Sequence, residues 1–302
     1  MAALDRLVGN DALKDDLSAA LRARRLPQSV LLLGEAGLGT GFAARCLAAD
    51  YLYPDGGPGA EQVLRGENPE CLSVRGEGAS GDIPVARIRS VCMEVCATSL
   101  SAAGRVVILY GAHHLRAPSA NALLKSLEEP PEGVLFLLTA PSAANVLPTV
   151  RSRCCAYPLA PVDEAACAEH LSLAFPARKK EAARLAALCG GRIGSAQRCL
   201  SDPAAKAVFD DACALAECAQ RRDAYGAMVL LAKYEKERAA ALALLDTLRM
   251  LCGAALAGRP GAPLSPARAA VCAKGAGEAA QRLSGNVNTK LTLTCFAACA
   301  AR

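Results

Sequence analysis

The sequence contains no tryptophan, and aromatic residues make up only 4% of its 302 positions. It therefore has little from which to build the aromatic platforms that stack single-stranded nucleic acid. No apolar run approaches the ~20 residues needed to cross a bilayer, so no membrane contact is expected. The opening Met1-Ala-Ala-Leu-Asp-Arg6 lacks a basic stretch followed by an apolar one. It does not read as a secretory signal, and a cytoplasmic location is expected. The 15 cysteines include no CxxC knuckle, and an odd count without a leader argues against a disulfide framework. Cys92/Cys96 and Cys295/Cys299 are four apart on expected helices. Most other cysteines fall at apolar helical positions, where a thiol packs as a small hydrophobe. Neither a metal nor a cofactor is expected.

What the sequence does have is enough apolar material for sizeable cores, with 53% hydrophobic and 21% charged residues. Its length suggests about two or three domains at roughly 100–150 residues each. Much of the apolar share is alanine, which favours helix. The net charge is +5, from 34 basic and 29 acidic residues. That balance permits contact with DNA phosphates without demanding it. The basic clusters Arg22–Arg25 and Arg178–Lys180 read as solvated helix faces.

The first 160 residues alternate strand-like and helix-like stretches. Val30-Leu-Leu-Leu33 reads as a buried parallel strand running into a glycine-rich turn, followed by an alanine-rich helix over Phe42–Ala49. Val106–Leu109 and Val134–Leu138 read as further strands, with a helix over Ser119–Leu127 between them. Strand–helix–strand in that order predicts a parallel sheet covered by helices. Residues 54–82, rich in Gly, Pro and acidic residues, read as an insertion or long loop. Beyond Pro161 the strand signals stop, and helices follow with a stop at Gly190-Gly191. The expected layout is an α/β module over 1–160, a small helical module over 161–203 and a helical domain over 204–302.

The first strand leads into Gly34-Glu-Ala-Gly37-Leu-Gly39-Thr40-Gly41. A phosphate-binding loop has the form G-x-x-x-x-G-K-[ST] between a strand and a helix. Both glycines and the context match, and Gly37 adds a third. Thr40, however, stands where a lysine should reach the β- and γ-phosphates, and Gly41 where a hydroxyl should hold magnesium. Losing the charge-assisted contact alone costs roughly 1.5–3 kcal/mol. Losing the magnesium ligand as well removes the metal that neutralises the transition state. An active ATPase of this kind needs Asp-Glu after the strand Val106–Leu109; here Tyr110 and Gly111 occupy those places. His113 and His114 follow, but adjacent residues diverge and no ligand partners lie nearby in sequence.

Asn121-Ala-Leu-Leu-Lys-Ser-Leu-Glu-Glu-Pro-Pro131 is an amphipathic helix stopped by a double proline. With Thr149-Val-Arg-Ser-Arg-Cys154 downstream, it resembles the bacterial clamp-loader ATPase family, in its gamma/tau and delta-prime forms. Leu7-Val-Gly-Asn10, Arg25-Leu-Pro-Gln28 and Ile83–Ser90 extend the resemblance. So do Gly191-Arg-Ile-Gly194-Ser-Ala196 and Asn286-Val-Asn288 with Leu291 and Leu293. The resemblance implies an AAA+ P-loop sheet module, a helical lid and a helical C-terminal collar that oligomerises. It puts Gly194 where active members carry a nucleotide-sensing arginine, with Arg192 and Arg198 close by. Many delta-prime chains also carry a four-cysteine zinc module. Here that region holds only Cys46, Cys71, Cys92 and Cys96, so the module is expected to be lost.

The resemblance further implies a non-hydrolysing delta-prime-type subunit in a five-membered ring with gamma/tau and delta. That ring places a sliding clamp on primed DNA. Contact of this chain with the clamp would be weak or indirect, and contact with DNA would run through the complex. Arg153, from the Ser-Arg-Cys signature, would act in trans at a neighbour's ATP site, with Ser152 and Cys154 positioning it. Gly34, Gly37, Gly39, Thr40 and Gly41 would form a degenerate, non-functional phosphate loop. The enzyme alternative is a working ATPase of the gamma/tau type. A third reading is a paralogue that uses the same scaffold for another DNA-linked task. A purely structural role for Arg153, capping a helix or pairing with a carboxylate, is the plain alternative to the finger.

Overall fold

The computed structural model describes residues 2–78, 81–96, 104–285 and 287–300. Asn286 of the Asn286-Val-Asn288 string lies outside the described residues. The chain divides into two compact units, Met1–Pro161 and Val162–Arg302.

The first unit carries a five-stranded parallel sheet: β1 Ser29–Leu33, β2 Cys71–Val74, β3 Arg105–Leu109, β4 Val134–Ala140 and β5 Cys155–Pro158, in the order β2-β3-β4-β1-β5. Its helices are α1 Asp11–Arg22, α2 Thr40–Leu52, α3 Pro58–Arg65, α4 Val85–Glu94, α5 Ala117–Glu128 and the single turn α6 Pro148–Arg151. The central strands are continuous apolar runs because both faces are covered, and β4 is buried along its whole length. Alternate residues nevertheless sort by face. Val30, Leu32, Val106, Ile108, Leu135 and Leu137 pack with Leu13 and Leu17 of α1, Leu47 of α2 and Val63 of α3. Leu31, Val107, Leu109, Phe136 and Leu138 pack with Ile88 and Val91 of α4 and Leu123 and Leu127 of α5.

The structure corrects the reading of residues 54–82 as a loop. Helix α3 and strand β2 lie within them, and β2 extends the sheet by pairing with β3 from Cys71↔Val106 to Val74↔Leu109. Strand β5 was not foreseen either; it pairs with β1 from Val30↔Cys155 to Leu33↔Pro158. Both are four-residue edge strands with one partner each, so neither carries the long apolar run that marks a central strand.

The second unit is all helical: α7 Glu164–Ala174, α8 Lys179–Leu188, α9 Ile193–Ser201, α10 Pro203–Arg221, α11 Ala224–Ala232, α12 Arg238–Leu256, α13 Pro266–Ser284 and α14 Thr289–Ala300. One apolar core runs through it, from Cys167 and Leu171 of α7 to Leu293 and Phe296 of α14. Asp163, Asp202 and Asp223 cap the starts of α7, α10 and α11 through their carboxylates. The expectation that no stretch is long and apolar enough to span a bilayer needs one correction. Helix α12 reaches 19 residues with a mean hydropathy of 1.6. Its Leu244, Leu245, Leu248 and Leu251 are fully buried in the core of this unit, which is why it is so apolar.

Candidate functional site

The glycine loop forms where β1 ends. Gly34 N–H donates to the Ala140 carbonyl at 2.9 Å, and Leu38 N–H to Glu35 O at 3.1 Å. Gly37 and Gly39 take positive φ values of 87° and 91°, a conformation that glycine adopts without strain. Gly39 is the N-cap of α2, which starts at Thr40 with no acidic residue in its first turn and no side-chain cap. The loop thus has the shape that points helix N–H groups at an anion.

The chemistry around that shape is different. Tyr110 follows β3, anchored by its N–H to the Val74 carbonyl at 2.9 Å. Its ring lies against Gly41: a Cβ added at Gly41 would sit 3.0 Å from the ring's Cε1 and 3.4 Å from Cδ1. On the ring face, the Arg75 guanidinium stacks 3.7 Å from the centroid, a cation–π contact. Gly34 is equally tight, since a Cβ there would meet the Thr40 methyl at 2.9 Å. The structure therefore brings together Gly34, Thr40, Gly41 and Tyr110, and adds Arg75, which the sequence had not marked out. Gly111 N–H donates to Thr139 Oγ1 at 3.0 Å. His113 and His114 sit on a short 3-10 turn with ring centroids 4.0 Å apart. Burial, and then the neighbouring His114, push the His113 pKa down to about 4. Its Nδ1 is buried without a partner.

Arg153 stands elsewhere. Parallel pairing runs from Val30↔Cys155 to Leu33↔Pro158, so Arg153 precedes the entry end of β5 while the loop follows the exit end of β1. At about 3.3 Å per residue, roughly 10 Å of paired strand separates the two ends before either loop is counted. Arg153 is not free. Its Nε donates to Glu128 Oε1 at 2.6 Å, and Nη2 donates to the same oxygen. Nη1 donates to the Thr149 carbonyl at 2.9 Å and to Ser152 Oγ at 3.3 Å. Ser152 in turn donates to Thr149 O at 3.3 Å. Cys154 packs against the sheet core, and burial, then Cys155, push its thiol up to about 12. It is a packing residue beside the turn that carries Arg153. Glu128 had no role in the sequence reading, although two carboxylates at a helix C-terminus call for a nearby cation.

Cys46 and Cys71 are buried in one face of the first unit's core, and Cys92 and Cys96 lie on and just after α4. Among the described residues no group of three or more His, Cys, Asp or Glu side chains is arranged to hold a metal. In the second unit, Gly194 lies in the first turn of α9, just after Arg192 at its N-cap.

Comparison with known proteins places this geometry. The family model described as DNA polymerase III, delta subunit, matches residues 9–163. The chain is 34% identical over 177 residues to DNA polymerase III subunit delta' of Pseudomonas aeruginosa, covering 56% of this chain and 54% of that one. It is 36% identical over 129 residues to subunit delta' of Yersinia pestis, covering 42% and 38%. It is 32% identical over 168 residues to subunit gamma/tau of Mycobacterium bovis, covering 52% and 28%. The matches span about half the length of the leading curated relative or less. A solved gamma subunit-related protein of DNA polymerase III from Thermotoga maritima superposes with a TM-score of 0.52 at 17% identity, over 95% of this chain and 99% of that one, a likeness of fold. Because the family model takes in just over half of the chain, and delta' subunits match it at 34% and 36% identity, the chain belongs to the DNA polymerase III delta-subunit family, in its delta-prime form.

Proposed function

We propose that this chain is a non-hydrolysing, delta-prime-type subunit of a DNA polymerase III clamp loader. It would act as a stator beside gamma/tau and delta subunits while the assembly loads a sliding clamp onto primed DNA. Clamp contact by this chain would be weak or indirect. The observation that carries the non-hydrolysing part is the Tyr110 ring packed on Gly41. It occupies the side of the loop where a hydroxyl and an acidic residue would need to share a magnesium ion. Thr40 offers no cation in place of the missing lysine. Gly194, where a sensing arginine is expected, points the same way.

Arg153 is proposed to act in trans, on ATP bound by a neighbouring gamma/tau subunit. Its place at the opposite end of the sheet from its own loop supports this, because it cannot serve both. An arginine delivered across an interface can raise phosphoryl-transfer rates by about 10³ or more. Ser152 and the Thr149 carbonyl orient the guanidinium, and Cys154 anchors the turn. Helices α7–α9 are assigned to a lid (161–203) and α10–α14 to a collar (204–302). A working gamma/tau-type ATPase is the second reading, favoured by the 32% identity to gamma/tau chains; Thr40, Gly41, Tyr110 and Gly111 stand against it.

The test is reconstitution with gamma/tau and delta, with DNA-stimulated ATP turnover measured for the natural chain and for Arg153→Ala. The expected result is an inert isolated chain, an active complex, and lower turnover with Arg153→Ala at unchanged assembly. Turnover by the isolated chain, or failure to assemble, would overturn the proposal.

A further inference from the structure

Helix α5 ends at Glu128, with Glu129 as its C-cap and Pro130-Pro131 behind. The C-terminal end of a helix carries partial negative charge, so carboxylates there are disfavoured unless a cation meets them. Arg153 meets Glu128 through Nε and Nη2, while Nη1 is used by Thr149 O and Ser152 Oγ. A guanidinium has five N–H donors. These bonds direct four of them at the chain itself and leave one, on Nη2. A bidentate grip on a phosphate needs two parallel N–H···O bonds. As it stands, Arg153 can offer one.

We propose that Glu128 is an intramolecular clasp on Arg153, holding the guanidinium against the end of α5 until a phosphate displaces the carboxylate. This rests on the reading of Arg153 as a trans-acting arginine. The exchange conserves hydrogen bonds: Nε and Nη2 leave one carboxylate oxygen and turn to two phosphate oxygens. The driving force is charge, since a terminal phosphate carries more negative charge than one carboxylate. The clasp is weak by construction, because the two side chains remain 31% and 47% exposed. Half-exposed ion pairs of this kind hold their partners by a factor of about two to five. Glu128 would therefore tune how readily the arginine is handed over, without blocking it. Lys125 lies in the same last turn of α5, so some positive charge stays with that helix end when Arg153 leaves.

Two measurements test the clasp. In the isolated chain, Glu128→Gln should raise the rate at which phenylglyoxal modifies Arg153 by about two- to fivefold at low salt, the gain shrinking at high salt. In the reconstituted complex, the same variant should raise turnover at subsaturating ATP by a similar factor, and should change nothing when Arg153→Ala is also present. Glu128→Asp, which keeps the charge on a shorter arm, should fall between the natural chain and Glu128→Gln. Unchanged Arg153 reactivity, or a fall in turnover with Glu128→Gln while Arg153→Ala still lowers it, overturns the clasp and leaves the trans-acting arginine standing. If Arg153→Ala has no effect on turnover, the underlying reading falls and the clasp falls with it.

Discussion

Writing the missing residues back into the glycine loop, Thr40→Lys with Gly41→Thr, is predicted not to restore ATP turnover. The lysine alone adds one charge-assisted contact to a phosphate, roughly 1.5–3 kcal/mol, or about ten- to a hundredfold in nucleotide affinity. The threonine is the obstacle. Its Cβ would lie 3.0 Å from Tyr110 Cε1 and 3.4 Å from Cδ1. The ring would have to give by a few tenths of an ångström, and it is packed against the core of one sheet face with the Arg75 guanidinium on its face at 3.7 Å. Overpacking of this order costs about 1–3 kcal/mol, which lowers Tm by roughly 2–10 °C in a protein of this size.

The assay has three steps on the isolated chain: titration calorimetry with ATP, thermal unfolding, and magnesium-dependent phosphate release. Thr40→Lys should tighten ATP without turnover. Adding Gly41→Thr should lower Tm while phosphate release stays absent. Adding Tyr110→Asp should return Tm towards the natural value, because it removes the ring, and should supply the first acidic group that a magnesium ion could use. Turnover by the Thr40→Lys/Gly41→Thr chain with Tyr110 in place would refute the argument that the ring closes the metal side of the loop. So would an unchanged Tm with Gly41→Thr alone.

Two further outcomes follow from side chains away from the loop. His113 has a folded pKa of about 4, below the ordinary value of 6.5, because burial disfavours its charged form. Between those values the unfolded chain binds more protons, so stability is full above about pH 6.5 and is lost as pH falls towards 4. Since the ring is only half-buried, the expected loss is about 1–2 kcal/mol, well under the full value of the shift; urea unfolding at pH 7 and pH 5 should show it, and His113→Gln should flatten that difference. Arg105 Nε donates to Glu70 at 2.7 Å with both side chains nearly buried, so Glu70→Ala leaves a buried cation without its carboxylate and should cost about 3 kcal/mol by chemical denaturation. A loss under about 1 kcal/mol would mean that the Glu94 carbonyl, which also accepts from Arg105, suffices by itself.

The central strands and the helix between them were legible in the sequence because they are buried on both sides. Val30–Leu33, Val106–Leu109 and Val134–Leu138 stand out as apolar runs wherever helices cover both faces of a sheet. Strands β2 and β5 were illegible for the complementary reason. Each has a single neighbour, and β5 leaves Cys155, Ala156 and Pro158 exposed, so its pattern is that of a surface turn. At the site, the missing lysine and hydroxyl could be read from Thr40 and Gly41 directly. Arg75 could not, since nothing in Val74-Arg75-Gly76 shows that the guanidinium would fold over a ring 35 positions later. Glu128 was visible as part of a string and invisible as a partner, because its bond to Arg153 depends on α5 and α6 both ending where parallel strands begin, before β4 and β5.

The glycines of the loop illustrate how a motif can outlive the chemistry it is named for. Read alone, Gly34, Gly37, Gly39 and Gly41 argue for a bound phosphate. In the fold, a Cβ at Gly34 would meet the Thr40 methyl at 2.9 Å and one at Gly41 the Tyr110 ring at 3.0 Å, so packing favours glycine at both. Gly37 and Gly39 are required by their positive φ, which sets the turn from β1 into α2. Each glycine is thus accounted for by packing or backbone geometry without any ligand. The turn has to keep its shape, because β1 and α2 are both buried in the core that it joins. The diagnostic positions are those whose side chains touch no structural partner in an active loop. Thr40, Gly41 and Tyr110 are those positions here, and the proposal that this chain leaves ATP hydrolysis to its neighbours rests on them.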